Sequence, residues 1–281
     1  LNKLNCFLRQ TKIPFYLHKM GPKKFTSWKL IKLFLLREKF KMSYRDIAEF
    51  CEFVGVKEIH FTTLHKFVQR IPQGLWELLQ LFSVKLESVE LVAVDSTGIS
   101  KTNASKHFLW RIHRKGPDKQ ALKLSILVDC KSNCILSTRI RSCFFGSHDI
   151  KDVMPLLRKS KVKFKKFRGD MAYDADWLRM FLKERNIQVA IPLRKNSSKK
   201  RLRKFDFDKK EYAKGSNVES TFSSFKRKYG NNVNSKKFKM QKAQLLCRTI
   251  LHNLDRIFNL IYYRLFLLDL IIITSSDETL K

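Results

Sequence analysis

The chain has 281 residues, with 58 Lys and Arg against 25 Asp and Glu, a formal net charge of +33 and a pI near 10.1. Hydrophobic residues make up 44% and aromatic residues 12%, which excludes an intrinsically disordered chain and predicts a folded protein with a buried core. So large a positive charge predicts a polyanionic partner, and it favours nucleic acid because each neutralised phosphate releases counterions.

Helical periodicity runs through the first third of the chain. One amphipathic helix is predicted over Ser27–Phe40, where apolar residues recur on one stripe. A second is predicted over Ser43–Gly55, and Ser43 with Asp46 forms a capping pair at its start. These helices place an all-α region at the amino-terminal end.

A third helix carries basic side chains that suit DNA. It is predicted to start at Thr62 or Thr63 and to end before Pro72, and it carries Lys66 and Arg70 as candidate DNA-binding residues. Two short helices around a glycine-bearing turn resemble a helix-turn-helix, although the connection is longer than in that motif. An ordinary three-helix bundle is the alternative, and the sequence leaves both open.

Strand patterns begin near residue 90. The apolar run Leu91–Asp95 predicts a buried strand. Further strands are predicted as a meander, and Asp129 is predicted to begin a hairpin turn. The meander strands are His107–Ile112, Ala121–Asp129 and Cys134–Arg141.

Helices and strands then alternate. The pattern predicts an α/β fold, a mixed sheet with helices on its faces. The elements are a helix over His148–Ser160, a strand over Phe164–Asp170, a helix over Asp174–Asn186, a strand over Ile187–Pro192 and a helix over Ser216–Gly230.

The predicted domains are residues 1–90 (helical, DNA-binding), 91–256 (catalytic) and 257–281 (a hydrophobic helix and tail). Ile257–Ile273 approaches the length of a membrane span, but Arg264 and Asp269 interrupt it and favour a core helix. The amino-terminal segment has no secretion signal, and the cysteines form no disulfide-dense pattern. A cytoplasmic location is therefore expected.

Three acids are candidate site residues. Asp95 and Asp170 each follow a predicted strand, where carboxylates can meet and hold hard divalent cations. Glu219 lies on a predicted helix, with Lys226 two turns later on the same face. Each acid also has a plain structural interpretation as a turn or capping residue, and Glu219 fits a capping box with Ser216.

Three further features favour a plain structural interpretation. Asp174 is predicted to cap the following helix. Trp110 and Trp177 suit either core packing, which we favour, or stacking on a displaced base. Cys130 and Cys134 are interpreted as free thiols in preference to zinc ligands.

Three segments resemble the DDE transposases of bacterial and archaeal insertion sequences, which have RNase H-like catalytic domains. LVAVDSTGI resembles the segment around the family's first acid, and NVESTFSSFKRKYG resembles its third-acid helix. The longest match, GDMAYDADWLRMFLKERNIQVAIPLRKN, resembles the second-acid segment. Together these segments span Val92–Gly230.

The resemblance implies a DDE triad of Asp95, Asp170 and Glu219 that binds two Mg²⁺ or Mn²⁺ ions. It also implies cleavage and strand transfer of double-stranded DNA, at element ends and target, by a homodimer assembled on the DNA at the nucleoid. No membrane and no nucleotide cofactor is expected. Lys226, Arg227 and Lys228 are the implied DNA-backbone contacts.

Some relatives carry the signature Y-x-x-R-x-x-x-E-x-x-x-x-x-x-K around the third acid. Here Tyr212, a further candidate DNA contact, Glu219 and Lys226 match it, while Gly215 stands at the arginine position. A catalytically inactive or domesticated DNA-binding relative is therefore an alternative. An RNA-binding basic protein and a nuclease that never joins strands are further alternatives.

Overall fold

The computed structural model describes residues 23–53, 59–84, 88–101, 121–142, 148–194 and 217–257, with positions 8, 11, 13–17 and 111. The chain divides into two compact units. The helical unit comprises Leu1–Ser83 and Ser235–Lys281, and the sheet unit comprises Val84–Asn234. This differs from the predicted division, because residues 235–256 group with the amino-terminal helices and not with the sheet.

The elements follow the predicted order. The helical unit contains α1 (Ser27–Lys39), α2 (Tyr44–Phe53), α3 (Phe61–Arg70), α4 (Gln73–Phe82) and, from the end of the chain, α8 (Phe238–Ile257). The sheet unit contains β1 (Ser88–Ser100), β2 (Ala121–Asp129), β3 (Ile135–Ser142), α5 (Ile150–Lys159), β4 (Lys163–Arg168), a 3₁₀ helix (Met171–Tyr173), α6 (Asp176–Lys183), β5 (Gln188–Ala190) and α7 (Asn217–Tyr229).

Local capping fixes the start of α2 as predicted. The Ser43 hydroxyl accepts a hydrogen bond from the Asp46 backbone N–H at 3.1 Å. In return, the Ser43 backbone N–H donates to the Asp46 carboxylate at 2.8 Å. This reciprocal pair satisfies donors that the helix end would leave unpaired, so the predicted capping pair is confirmed.

The basic side chains predicted on the third helix lie on its exposed face. In α3, Leu64 and Val68 are buried, whereas Lys66 and Arg70 are exposed. The His65 ring packs edge-on against Tyr44 of α2, with the ring centroids 5.1 Å apart. The apolar face of α3 thus packs within the helical unit, and Lys66 and Arg70 lie on the surface. This is compatible with both a helix-turn-helix and an ordinary three-helix bundle.

The sheet of the second unit has the strand order β3-β2-β1-β4-β5. Strands β1, β2 and β3 are antiparallel neighbours, whereas β4 runs parallel to β1 and β5 runs parallel to β4. An antiparallel meander followed by parallel crossovers with intervening helices makes the predicted mixed α/β sheet. Its core includes Val92, Leu127, Leu156, Phe167 and Leu182.

Two predicted segments lie largely outside the described residues. Of the predicted strand His107–Ile112, only Arg111 is described, and it is helical. The hydrophobic segment Ile257–Ile273 is described only at Ile257, the last residue of α8. Within the described part of the chain, no helix is both long enough and apolar enough to span a membrane.

Candidate active site

The parallel pairing of β1 and β4 brings the first two candidate acids to one level of the sheet. Ala93 of β1 is in register with Arg168 of β4. Asp95 lies two residues further along β1, which continues to Ser100, so the prediction that this strand ends at Asp95 is wrong. Asp170 lies two residues beyond Arg168, the last residue of β4. Because neighbouring strands are about 4.8 Å apart, the two acids from distant parts of the sequence come close together at the carboxyl end of β4.

The turn after β4 is shaped by Gly169 and Tyr173. A Cβ atom at Gly169 would lie 3.1 Å from two atoms of the Tyr173 side chain, so only glycine lets the tyrosine ring approach the backbone this closely. Asp170 begins the 3₁₀ helix, and its Oδ1 accepts a hydrogen bond from the Ala172 backbone N–H at 2.9 Å. The capping interpretation of Asp170 thus holds for one oxygen of its carboxylate.

Helix α7 carries the third candidate acid. Val218, Phe222 and Phe225 are buried along one helix face, while Glu219 is exposed. The chain after α7 returns to β1, where the Ser100 backbone N–H donates to the Asn231 carbonyl at 2.9 Å. The apolar face and this return fix α7 beside β1.

The charges of the other two candidate acids act on the Asp95 carboxyl. Burial raises the pKa of the Asp95 carboxyl, a hydrogen bond from the Ser96 backbone N–H opposes that rise, and the charges of Asp170 and Glu219 raise the pKa further. Lys123 acts in the opposite direction. The negative charges of Asp170 and Glu219 therefore disfavour ionisation of Asp95 at its partly buried position.

The carboxylate oxygens of the three candidate acids suit a hard cation, but the acids do not form a preformed three-ligand site. Among the described residues, no three carboxylate, imidazole or thiolate groups are close enough together to hold a metal ion. Asp95 and Asp170 each use only Oδ1 in hydrogen bonds with the described part of the chain, which leaves each Oδ2 available. Oxygen-rich, mutually repelling sites of this kind favour divalent cations such as Mg²⁺.

Basic residues flank the third acid on α7. Lys226 is half-buried, and burial lowers the pKa of its ammonium group. Arg227 and Lys228 are exposed in the last turn of the helix. The remaining predicted DNA contact of this region, Tyr212, lies outside the described residues, as does the signature position Gly215.

Two further aspartates have structural roles. Asp129 was predicted to begin a hairpin turn, and its carboxylate accepts a hydrogen bond from the Ser132 backbone N–H at 2.9 Å, which confirms the prediction. Asp174 was predicted to cap α6, which is wrong. Its buried carboxylate pairs with the Arg179 side chain, with Nε at 3.0 Å, and accepts the Arg194 backbone N–H at 3.0 Å.

The structure corrects the interpretation of one aromatic residue. Trp177 was expected to pack in the core, but 43% of it is exposed, because Leu178 and Leu182 supply the buried face of α6. Trp110 lies outside the described residues. Cys130 and Cys134 are buried and form no disulfide.

Sequence reasoning missed Lys123 as part of the site's electrostatics. This residue stands between Leu122 and Leu124 in a strand that is otherwise buried, and it forms an ion pair with Asp149. A lysine inside a buried strand was the available signal, because such a charge requires an acidic partner nearby.

The fold and the family follow from comparison with known proteins. The arrangement is that of RNase H-like transposases: the chain superposes on a structure of the piggyBac transposase synaptic complex with hairpin DNA at a TM-score of 0.55. The two chains are 11% identical over 98% of this chain and 77% of that one. A likeness to the Mos1 strand transfer complex has a TM-score of 0.30 at 12% identity, over 84% of this chain and 76% of that one.

The family model described as "Transposase DDE domain" matches residues 89–254, more than half of the chain, so the chain belongs to the DDE transposase family. Members of this family generally use divalent metal ions. No curated protein sequence matches the chain.

The raised pKa of Asp95 leads to a stability prediction. A group whose pKa is raised by folding stabilises the fold when protonated, and that contribution is lost as the pH rises through the folded-state pKa. Asp95→Asn removes the ionisable group, so the metal-free variant is expected to have a higher Tm than the wild type at neutral pH. The difference should shrink as the pH falls toward the ordinary carboxyl range.

Thermal unfolding in EDTA at several pH values measures this effect. Asp176→Asn, the same substitution at an exposed position of α6, is the control and should show no such trend. A lower Tm for Asp95→Asn at neutral pH would contradict the prediction.

Proposed function

We propose that this protein is an active insertion-sequence transposase that cuts DNA at element ends and joins the ends to a target by metal-dependent phosphoryl transfer. The observation that carries the proposal is the placement of Asp95 and Asp170 by the parallel register of β1 and β4, with the charges of Asp170 and Glu219 both acting on Asp95. The local hydrogen bonds of Asp95 and Asp170 do not require these charges to lie together, and the repulsion felt by Asp95 disfavours the metal-free fold. Such a cost is expected where a cation is bound.

In this proposal Asp95 and Asp170 hold two Mg²⁺ or Mn²⁺ ions through their available oxygens, and Glu219 completes the ligand set by approaching from α7. The ions, when bound, activate the attacking hydroxyl and stabilise the leaving oxygen. The protein fixes the positions of the three carboxylates and of the DNA. Glu219 is exposed, which leaves room for its side chain to approach the ions.

Cationic side chains in both units are proposed to hold the DNA. Lys226, Arg227 and Lys228 continue the helix that carries Glu219, so they would contact phosphates next to the scissile one. Lys66 and Arg70 on the exposed face of α3 would bind the element ends. Joining two ends requires two copies of the chain, so a homodimer on DNA is part of the proposal.

One observation favours a second candidate, a transposase-derived DNA-binding protein without activity. Gly215 stands at the arginine position of the family signature. This candidate predicts binding of the ends without cleavage.

The test uses labelled DNA that carries the inverted repeats flanking the gene, with a supercoiled target plasmid. With Mg²⁺ or Mn²⁺, we expect nicking at the repeat ends and covalent joining to the plasmid, and neither with EDTA or with scrambled repeats. Nicking without joining would indicate a nuclease. Tight binding of the ends without either product would support the inactive candidate, and equal binding of scrambled DNA would contradict both.

A further inference from the structure

A row of buried and half-buried hydroxyl groups lies on one face of the sheet. The Tyr173 hydroxyl lies 3.1 Å from the Ser96 hydroxyl oxygen. Ser96 in turn lies 2.8 Å from the hydroxyl oxygen of Ser125 on the neighbouring strand. Ser125 donates to the Asp152 carboxylate of α5 at 2.7 Å. These four side chains, which we name the hydroxyl chain, connect β1, β2, α5 and the turn after β4.

The hydroxyl chain ends on a charged anchor. Asp152 is fully buried, and its Oδ2 also accepts a hydrogen bond from the Arg141 guanidinium at 2.7 Å. The Arg139 Nε lies 2.9 Å from its Oδ1, in an ion pair whose angle is too bent for a hydrogen bond. Two cations from β3 therefore hold this carboxylate in place and balance its charge.

The anchor gives the hydroxyl chain a single direction. Each hydroxyl has one hydrogen to donate. Because Ser125 donates its hydrogen to Asp152, Ser96 must donate to Ser125, and Tyr173 must donate to Ser96. Hydrogen bonds aligned in this way polarise and strengthen one another, so the chain has one defined geometry.

Two members of the hydroxyl chain, Ser96 and Tyr173, adjoin the candidate acids. Side chains alternate along a strand, so Asp95 and Ser96 point to opposite faces of β1. Tyr173 follows Asp170 by one turn of the 3₁₀ helix and is fully buried. The hydrogen bond between Ser96 and Tyr173 therefore links the strand that carries Asp95 to the turn that carries Asp170. It lies on the face of β1 opposite to the Asp95 side chain.

We propose that the hydroxyl chain consists of positioning residues, which set the spacing of Asp95 and Asp170 for a divalent cation. This inference rests on the proposed function. Stability alone does not require the arrangement, because apolar residues of similar volume stabilise a core at least as well as a buried ionic group. Partners that orient metal-binding carboxylates typically change metal affinity by 10-fold to 100-fold when they are removed.

The test measures Mn²⁺ binding to the full chain by titration calorimetry, so that it does not depend on DNA cleavage. Tyr173→Phe removes only the terminal hydroxyl, and Ser125→Ala interrupts the chain at its centre. The matched control is Ser137→Ala, because the Ser137 hydroxyl is also buried in the sheet and donates to the Leu156 carbonyl of α5 at 2.9 Å. It takes no part in the hydroxyl chain.

We expect Tyr173→Phe and Ser125→Ala each to weaken Mn²⁺ binding by about 10-fold or more, while Ser137→Ala stays at the wild-type value after a comparable loss of thermal stability. The double variant should bind no more weakly than the worse single variant, because both substitutions break one connected chain. Equal affinities for all three single variants, or additive losses in the double variant, would overturn the inference.

Asp95→Asn separates this inference from the function on which it rests. If Asp95→Asn abolishes Mn²⁺ binding while the hydroxyl-chain variants match Ser137→Ala, the positioning role fails and the metal site stands. If Asp95→Asn leaves Mn²⁺ binding unchanged, the metal site itself fails.

Discussion

Asp170→Asn is expected to lower the rate of metal-dependent cleavage at DNA ends by at least about 10³-fold, because a catalytic metal contributes several kcal/mol to transition-state stabilisation. The amide keeps the size of the carboxylate and can still accept the hydrogen bond from the Ala172 backbone N–H. It removes the negative charge that a divalent cation requires. DNA binding should be intact or slightly tighter, since the substitution makes the site less negative.

Asp176→Asn and Asp174→Asn are the controls for this prediction. Asp176 is exposed on the next helix, so its substitution should leave cleavage unchanged. Asp174 belongs to a buried ion pair with Arg179, so its loss should lower stability first, which circular dichroism would detect. Loss of cleavage in a folded Asp174→Asn variant, with normal cleavage by Asp170→Asn, would reverse the assignment of the second acid.

A metal-specificity switch tests direct coordination at the same position. Asp170→Cys replaces a hard oxygen ligand with a thiolate, which Mg²⁺ binds poorly and softer cations accept more readily. We expect this variant to be inactive with Mg²⁺ and to regain part of its cleavage rate with Mn²⁺. An equal loss with both metals would indicate that Asp170 acts without touching the cation.

The sheet was predictable because its signals are local. Strand β2 was predicted over Ala121–Asp129 and has those bounds, since a mostly apolar run followed by an Asp turn leaves few alternatives. Asp95 and Asp170 were identified from predicted strand ends, although Asp95 lies inside β1, and Glu219 was identified on a predicted helix. Their electrostatic coupling followed only from the parallel register of β1 and β4.

The parts that could not be predicted depend on contacts between distant segments. Nothing in the local pattern of α8 shows that it packs with α1, because the partners Glu38 and Arg248 are 210 positions apart. The hydroxyl chain likewise needed the register of three strands. One signal was present: Arg139 and Arg141 alternate on a mostly buried strand, and two arginines on one face require a buried acid such as Asp152.

The buried ionic cluster around Glu38 carries the second large prediction. Glu38 of α1 accepts hydrogen bonds from Arg248 Nε at 3.0 Å and Gln244 Nε2 at 3.2 Å, both on α8. It also pairs with Arg37. The glutamate and both arginines are buried. One carboxylate thus compensates two guanidinium groups between helices from opposite ends of the chain.

Glu38→Ala is expected to lower the free energy of unfolding of the helical unit by about 3–5 kcal/mol, because two buried cations lose the acidic partner that they share. Urea unfolding followed by tryptophan fluorescence measures the loss, since Trp76 is buried in the same unit. Glu49→Ala, at an exposed position of α2, is the control and should change stability by less than about 0.5 kcal/mol.

The same substitution tests how DNA recognition depends on the helical unit. If Lys66 and Arg70 of α3 bind the element ends, destabilising their unit with Glu38→Ala should weaken end binding at temperatures where that unit unfolds. Mn²⁺ binding at Asp95 and Asp170, which lie in the sheet unit, should persist at those temperatures. Loss of both together would show that the two units unfold as one, whereas unchanged end binding would place DNA recognition outside the helical unit.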